Sequence, residues 1–242
     1  PLNNIPNGKF GHRPEPLREN LTDISKLAKE QKTDLGFVHD PDADRLVLVN
    51  EKGDVMLEEY SLGLSVESVL SKNPGRNIVI NLSTSQMDVD IAKKYGSQCF
   101  RSKIGEGYVV DVMLAHDAII GGEGNGGIVY PTINTCRDSF TGLSLILELL
   151  AERNKTLSEC VSELPKYFIK KEVWPKDKDL NEMYIKLRAN FKEAKIDEQD
   201  GMRLDFPDSS WIHLRPSNTE PVIKLFGEAR TLVASYLWIR SD

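Results

Sequence analysis

Three carboxylates at alternate positions are the first group of residues whose spacing predicts chemistry. Asp40, Asp42 and Asp44 lie in the segment His39–Arg45, between two apolar, β-prone stretches. Alternate side chains of an extended segment point the same way, so the three carboxylates can converge on one point. Without a cation they would repel one another and raise each other's pKa. Oxygen ligands favour Mg²⁺ or Ca²⁺ over softer metals, so the segment predicts a divalent-metal site.

Two other interpretations compete with a metal site in this acidic segment. Asp-rich turns are commonly solvated loops that bind nothing. An EF-hand is a sharper rival, because Glu51 is the twelfth residue of a loop that begins at Asp40. That loop requires Gly at its sixth position, where this chain has Arg45, and it requires flanking helices rather than strands. The EF-hand is therefore disfavoured, whereas the solvated loop remains open.

A glycine cluster over residues 121–127 is the second segment of interest, with five glycines in seven residues directly after a predicted strand. Glycine lets the backbone adopt positive φ and approach a ligand closely. Glu123 and Asn125 are the only side chains, an anionic acceptor and a mixed donor and acceptor. This pair suits sugar hydroxyls or an amine better than a phosphate, and no Lys-Ser/Thr pair follows as in a P-loop. A flexible linker is the alternative interpretation.

The third segment, Arg215–Pro221, lies between two predicted short strands and is rich in hydrogen-bond donors. An arginine fork, two hydroxyls, an amide and the N–H groups of a turn form a convergent set for a dianionic phosphate. Lys224 adds a point charge three residues beyond the segment. The candidate ligands are Arg215, Ser217, Asn218 and Thr219. An ordinary turn is the alternative interpretation.

Composition limits the remaining possibilities. The 242 residues suffice for one large domain or two to three small ones. No apolar run approaches the ~20 residues that span a bilayer, and the N-terminus shows no signal sequence. Three scattered cysteines fit neither a disulfide framework nor zinc spacing, so we expect a reducing cytoplasm. A net charge of −6 disfavours non-specific nucleic-acid binding, and we expect no membrane partner.

Helices and strands alternate through most of the chain. Helical spacing predicts helices over 19–31, 60–72, 86–95, 106–116 and 138–153 and a later one over 179–194, with strands near 77–82, 98–102 and 118–120 between them. Thr156 and Glu159 predict a capping box that opens a further helix. The alternation predicts an α/β domain with a largely parallel sheet. Short strands cluster after Pro165, so we place a change to an α+β domain near residue 166.

Together the three segments resemble, in the same order, motifs of the α-D-phosphohexomutase superfamily, which includes phosphoglucomutases, phosphomannomutases and phosphoglucosamine mutases. Asp40–Arg45 resembles its metal-binding loop, usually DGDGDR, with Pro and Ala in place of the glycines. Residues 122–127, GEGNGG, resemble its sugar-recognition loop, commonly GEMSGH or GEQSGH. Arg215–Pro221 resembles its phosphate-binding loop. The resemblance covers almost the whole chain.

The resemblance implies a fold of mixed-sheet α/β domains, one partial and one complete, followed by a smaller α+β C-terminal domain. Residues 1–57 would be part of the second domain with the metal-binding loop. Residues 58–165 would be the third domain with the sugar-recognition loop. Residues 166–242 would be the fourth domain with the phosphate-binding loop, and its C-terminal helix would be shortened or altered.

The resemblance also implies a role for each candidate residue. Asp40, Asp42 and Asp44 would hold Mg²⁺, and Arg45 would stabilise phosphoryl charge beside them. Lys103 would be a basic residue near the substrate, although a lone lysine ahead of a helix is more commonly a surface residue. The substrate-binding residues would be Glu123 and Asn125 on the sugar hydroxyls, and Arg215, Ser217, Asn218, Thr219 and Lys224 on the phosphate that does not react.

The reaction implied is the interconversion of hexose 1- and 6-phosphates through a bisphosphorylated sugar, with a phosphoserine as donor. No segment of these 242 residues has the Ser-His-Asn-Pro-like core of the phosphoserine loop. We therefore expect the chain alone to lack mutase activity. The GEGNGG variant favours glucosamine phosphate as substrate, with mannose or glucose phosphate as alternatives. A non-catalytic module that binds sugar phosphate or metal is an interpretation of another class.

Overall fold

The first part of the chain forms a helix and a two-stranded hairpin whose connection is the acidic segment. A computed structural model describes residues 1–176, 179–217 and 220–232. Helix α1 spans Thr22–Gln31, and strands β1 (Gly36–His39) and β2 (Leu46–Val49) pair antiparallel. Val47 and Val49 face the helix in a small core. The hairpin therefore presents the acidic turn at its tip.

The middle of the chain is a layered α/β domain with a four-stranded sheet. Its elements are α2 (Glu59–Lys72), β3 (Ile78–Asn81), α3 (Gln86–Lys94), β4 (Cys99–Ser102), α4 (Glu106–Ala115), β5 (Ile120–Glu123), β6 (Gly127–Val129), α5 (Ser139–Arg153) and α6 (Leu157–Glu163). The strand order is β4-β3-β5-β6, with β3 parallel to both neighbours and β6 antiparallel to β5. The carboxyl ends of the three parallel strands share one edge, where the connecting segments meet.

Helix α2 lies at the centre of the main core and connects it to the hairpin. Its apolar residues are buried on all sides, and it packs against α5 and the sheet. A helix apolar around its whole circumference is expected in such a central position. Ser61 donates a hydrogen bond to the carbonyl oxygen of Leu46 at 2.6 Å. The hairpin is thereby fixed to the middle domain next to the acidic turn.

The last part of the chain is an antiparallel sheet covered by one helix. Its elements are β7 (Phe168–Pro175), α7 (Leu180–Asn190), β8 (Lys195–Asp197), β9 (Met202–Asp205), β10 (Trp211–Pro216) and β11 (Val222–Ala229), and the strand order is β7-β11-β10-β9-β8. Leu204, Ile212 and Leu225 form the core with the apolar side of α7. The described helices include none that is long and apolar enough to span a bilayer.

The expected sequence of α/β and then α+β structure is confirmed, and one alternative interpretation, for the glycine cluster, is wrong. The glycine cluster is not a flexible linker, because β5 includes Gly121 and Gly122 and β6 begins at Gly127, so the cluster is a β-hairpin. A Cβ on Gly121 would lie 2.6 Å from the Val79 carbonyl oxygen, so the strands require glycine to pack. The sheet is mixed and largely parallel, as expected, because β3, β4 and β5 are parallel and β6 runs antiparallel to β5.

Candidate functional site

The acidic segment forms a tight turn that is held by its first carboxylate. Asp40 Oδ1 accepts hydrogen bonds from the backbone N–H groups of Asp44 and Arg45, both at 3.1 Å. Ala43 adopts a left-handed conformation with φ of +56°, in which glycine is usually favoured. One carboxylate oxygen from each of Asp40, Asp42 and Asp44 lies within 4.8 Å of the others. The turn therefore brings the three predicted ligands together.

The electrostatics of the turn fit a divalent cation. Burial, together with the nearby carboxylates, raises the pKa of Asp40 to about 6. Asp44 Oδ1 is buried without a hydrogen bond, and Arg45 Nε lies 3.6 Å from it and 3.2 Å from Asp40 Oδ2. Clustered carboxylate oxygens, one of them buried without a hydrogen bond, are the kind of ligand that Mg²⁺ or Ca²⁺ prefers. Glu51, the last ligand of an EF-hand, instead accepts hydrogen bonds from Ser158.

Glu123 lies at the end of β5, and both of its carboxylate oxygens accept hydrogen bonds inside the protein. Its Oε1 accepts hydrogen bonds from Asn81 Nδ2 and the backbone N–H of Gly105, both at 2.8 Å. Its Oε2 accepts one from Arg137 Nη1 at 2.6 Å. These partners fix the orientation of the carboxylate, and Oε2 retains a second lone pair for a further donor.

Asn125 lies in the turn of the glycine hairpin. Its Oδ1 accepts a hydrogen bond from the backbone N–H of Gly127 at 3.1 Å, which leaves the NH₂ group to bind a ligand. Leu46 N donates to the carbonyl oxygen of Gly126 at 2.9 Å, and Gly126 has a φ of +88°. A Cβ on Gly126 would overlap with the Leu46 carbonyl oxygen. The acidic turn and the glycine hairpin are thus joined backbone to backbone.

Arg137 connects the same two segments through its side chain, and sequence reasoning did not select it. Its guanidinium donates to Asp44 Oδ2, to Glu123 Oε2 at 2.6 Å and to Glu106 Oε2 at 3.1 Å. The sequence carried one signal: Arg137 directly precedes Asp138, whose side chain caps the N-terminus of α5. That position does not identify its partners, because Asp44 lies 93 residues away in the sequence.

Arg215 is buried and paired with an aspartate of its own domain. Its Nε donates to Asp200 Oδ1 at 3.1 Å, and its Nη2 lies 3.1 Å from the same oxygen in an ion pair. Asp200 Oδ2 accepts a hydrogen bond from the backbone N–H of Ile104 at 3.0 Å. Arg215 is therefore held close to the segment that carries Lys103, whose ammonium lies 5.6 Å from the centroid of the Tyr108 ring. Lys103 itself is exposed.

The rest of the third segment is only partly described. The backbone N–H of Ser217 donates to the Val222 carbonyl oxygen at 2.8 Å, which closes the turn between β10 and β11. Lys224 lies 3.5 Å from Glu220 in an ion pair. Asn218 and Thr219, two of the predicted phosphate ligands, lie outside the described residues.

Buried polar contacts hold the last domain against the middle domain beside this site. Ser83 Oγ lies 2.8 Å from His213 Nδ1. Glu228 accepts hydrogen bonds from Ser85 Oγ at 2.5 Å, from the backbone N–H of Gln86 at 2.7 Å and from Trp211 Nε1 at 2.7 Å. Serine, histidine and glutamate therefore link β10 and β11 to the segment that follows β3. None of these residues was selected from the sequence.

Comparison with known proteins gives matches along most of the chain. Three family models match in order: phosphoglucomutase/phosphomannomutase alpha/beta/alpha domain II over residues 1–53, alpha/beta/alpha domain III over 58–168, and the C-terminal domain over 171–234. A phosphoglucomutase/phosphomannomutase of Thermococcus kodakarensis is 36% identical over 233 residues, covering 95% of this chain and 51% of that protein. A probable phosphoglucosamine mutase of Methanopyrus kandleri is 33% identical over 235 residues, covering 95% and 52%.

Solved structures show the same correspondence. The crystal structure of a phosphoglucomutase/phosphomannomutase family protein from Burkholderia thailandensis matches with a TM-score of 0.80 and 29% identity, covering 93% of this chain and 49% of that one. A putative phosphomannomutase from Thermus thermophilus shares the fold, with a TM-score of 0.73 and 20% identity over 94% of this chain and 50% of that one. The chain spans about half the length of the curated relatives it matches.

Proposed function

The chain belongs to the phosphoglucomutase/phosphomannomutase family of α-D-phosphohexomutases, and from this premise we propose that it binds the metal, the sugar and one phosphate in the interconversion of hexose 1- and 6-phosphates. One observation carries the proposal. Asp44, Arg137, Glu123 and Gly105 are linked by successive hydrogen bonds, and Ile104, Asp200 and Arg215 are linked in the same way. Because Ile104 and Gly105 are adjacent in the chain, these hydrogen bonds connect the acidic turn to the phosphate segment, which supports a site shared by the two.

In this proposal the acidic turn binds the ion that supports phosphoryl transfer. Asp40, Asp42 and Asp44 would hold Mg²⁺, and the ion would supply positive charge to stabilise a phosphoryl group during transfer. Arg45, already within 3.6 Å of two of these carboxylates, contributes a second positive charge. Lys103 is exposed beside Ile104 and extends the positive charge towards the phosphate segment. Positioning and charge neutralisation are what phosphoryl transfer requires of a protein.

The other two segments bind the two remaining parts of the substrate. Glu123 and Asn125 bind sugar hydroxyls, the first through the free lone pair of Oε2 and the second through its NH₂ group. Arg215 binds the phosphate that does not react, through a guanidinium that Asp200 holds in place by an ion pair at 3.1 Å. Ser217, Asn218, Thr219 and Lys224 complete this phosphate site. A substrate held at both ends can bind in two orientations, which a bisphosphorylated intermediate requires.

Glucosamine phosphate is the substrate that we propose for this site. The carboxylate of Glu123 in the GEGNGG loop suits an ammonium group on the sugar as well as a hydroxyl. The Methanopyrus kandleri relative is named a probable phosphoglucosamine mutase. Mannose or glucose phosphate is the second candidate, because the Thermococcus kodakarensis relative is named a phosphoglucomutase/phosphomannomutase. We further propose a cytoplasmic location, consistent with the free thiols of Cys99, Cys136 and Cys160.

Calorimetric binding to the 242-residue chain tests the proposal. Glucosamine 6-phosphate, glucose 6-phosphate and mannose 6-phosphate are titrated in turn with 5 mM Mg²⁺ present, with inorganic phosphate and free glucosamine as controls. We expect glucosamine 6-phosphate to bind at least about tenfold more tightly than inorganic phosphate, a difference of about 1.4 kcal/mol. Equal affinity for all three sugar phosphates and inorganic phosphate would contradict a sugar-recognising site.

An activity assay of the same chain separates binding from catalysis. We propose that these residues alone do not interconvert the 1- and 6-phosphates, because no phosphoserine-type loop occurs among them. Turnover of any of the three sugar phosphates by the isolated chain contradicts that part of the proposal. A second protein joins this chain to a serine-bearing domain of the family. If that protein also shows no turnover, the chain is a non-catalytic binding module.

A further inference from the structure

Arg137 restricts how one of the predicted metal ligands can bind a cation. Its guanidinium donates to Asp44 Oδ2, while Asp44 Oδ1 is buried without a hydrogen bond. We propose that Arg137 makes the metal site selective for Mg²⁺ over Ca²⁺ by leaving Asp44 a single oxygen for the ion. This inference rests on the proposed function, because it takes the acidic turn to be a metal site.

A second carboxylate of the turn is restricted in the same way. Asp40 Oδ1 accepts two backbone hydrogen bonds at 3.1 Å, which leaves Oδ2 as the oxygen without a backbone donor. Asp40 and Asp44 therefore each offer one oxygen, Asp40 Oδ2 and Asp44 Oδ1, and both of these face Arg45 Nε, at 3.2 and 3.6 Å. Mg²⁺ requires six ligands in a nearly ideal octahedron and keeps several waters, so single oxygens suit it. Ca²⁺ takes six to eight ligands and commonly binds carboxylates through both oxygens, which these hydrogen bonds oppose at Asp40 and Asp44.

The side chain of Arg137 has little freedom to move away from Asp44. Glu106 and Glu123 hold its other nitrogens at 3.1 and 2.6 Å, and the side chain is 16% exposed. Gly127 lies against it, and a Cβ at that position would overlap with Arg137 Cδ. The family loops GEMSGH and GEQSGH have His where this chain has Gly127. The absence of a side chain at Gly127 therefore leaves the space that Arg137 occupies between the metal and sugar segments.

Mg²⁺ and Ca²⁺ carry the same charge, so a comparison of their affinities separates the effect of ligand geometry from the effect of charge. Loss of the arginine charge beside Asp44 strengthens the binding of both ions through the Coulomb interaction. That contribution largely cancels in the ratio of the two affinities. Release of Asp44 Oδ2 does not cancel, because only Ca²⁺ gains from a second oxygen of the same carboxylate. The ratio of the Ca²⁺ and Mg²⁺ affinities is therefore the quantity to measure.

The test is the separate titration of MgCl₂ and CaCl₂ into the 242-residue chain by calorimetry, without substrate. Arg137→Met removes the guanidinium and keeps much of its apolar volume, and Arg137→Lys keeps the charge but cannot bridge three carboxylates. We expect the Ca²⁺-to-Mg²⁺ affinity ratio to rise at least about fivefold in Arg137→Met and less in Arg137→Lys. Glu106→Gln is the matched control, because it removes the charge of one partner of Arg137 without freeing Asp44, and its ratio should stay within about twofold of wild type.

Each outcome decides a separate question. An unchanged ratio in folded Arg137→Met overturns the selectivity role while leaving the metal site intact. If circular dichroism shows that Arg137→Met does not fold, an unchanged ratio in Arg137→Lys overturns it instead. If the wild-type chain binds neither ion at millimolar concentration, the metal site of the proposed function fails, and this inference fails with it.

Discussion

Ser83 of the middle domain is hydrogen-bonded to His213 of the last domain, with 2.8 Å between Oγ and Nδ1. The other ring nitrogen, Nε2, lies 2.6 Å from the carbonyl oxygen of Asp200. A carbonyl only accepts, so Nε2 carries the proton, and Nδ1 of the neutral ring accepts from the serine. Both residues are buried. The domain boundary is therefore closed by a fully satisfied polar pair.

Replacement of Ser83 by Ala should destabilise the chain, because it leaves His213 Nδ1 buried without a partner. We expect a loss of about 1–3 kcal/mol in the free energy of unfolding, measured by urea denaturation with circular dichroism. Ser144→Ala is the control, since that hydroxyl is exposed and bonds to the carbonyl oxygen of Phe140 in its own helix. A Ser83→Ala loss no larger than that of the control would show that the contact adds no stability.

The stability of the chain should depend on pH through His213. Burial lowers the pKa of His213 to about 4 in the folded chain, below its ordinary value of 6.5. Between these values the unfolded chain binds more protons, so the free energy of unfolding falls as the pH falls from about 6.5 to 4. The loss is on the order of 3 kcal/mol by pH 4.

The difference between wild type and His213→Gln isolates this contribution from those of other groups. Glu59, whose burial raises its pKa to about 7, contributes a pH dependence of the opposite sign in both proteins. We therefore expect the stability advantage of wild type over the variant to shrink from pH 7 to pH 4. Parallel stability curves for the two proteins over that range would contradict a neutral buried histidine.

A methyl group on Gly126 should damage the junction between the acidic turn and the glycine hairpin. Gly126 has a φ of +88°, and the added Cβ would overlap with the Leu46 carbonyl oxygen, a backbone atom that cannot move aside alone. We expect Gly126→Ala to cost about 2 kcal/mol or more and to weaken Mg²⁺ binding. Gly107→Ala is the control, because an added Cβ there meets nothing within 4 Å. Similar stability losses in the two variants would argue against the junction.

Arg215 should contribute more to the binding of a sugar phosphate than Lys224. Arg215 is 3% exposed and its guanidinium is held in place by Asp200, whereas the Lys224 side chain is 31% exposed. A lysine cannot reproduce the planar fork of arginine, so Arg215→Lys should weaken the binding of glucosamine 6-phosphate about tenfold. Lys224→Met should weaken it less than about threefold, because its charge is screened by solvent. Calorimetry that gives the reverse order would reject Arg215 as the principal phosphate ligand.

Most helices and strands of the middle domain could be predicted because their signals are local. The capping box of Thr156 and Glu159 is present at the start of α6, and the apolar spacing of 60–72 matches α2 within one residue. The glycine hairpin could not be predicted, because glycine has low strand propensity and its strands depend on packing against β3. The short strand β8 was also missed, because it depends on pairing with β9.

The site could be predicted only where its residues are close in sequence. The acidic turn can be recognised from six consecutive residues, and the structure brings its three carboxylates together. Arg137 bonds to a carboxylate 93 residues away, and His213 bonds to a serine 130 residues away. No local pattern marks such pairs, because the fold alone decides which distant side chains meet. Asn81, which holds Glu123, belongs to the same class.

The position of Glu228 has a mechanical consequence for the cleft. Glu228 pairs with Trp211 at one end of the β10–β11 ladder and is bonded to the middle domain, whereas Arg215 lies near the other end. Four residues of strand separate Trp211 from Arg215, a lever arm of about 13 Å. A rotation of about 10° around Glu228 would displace the arginine by about 2 Å. Because His213 and Asp200 beside Arg215 are hydrogen-bonded to Ser83 and Ile104 of the middle domain, such a rotation must first break these two bonds.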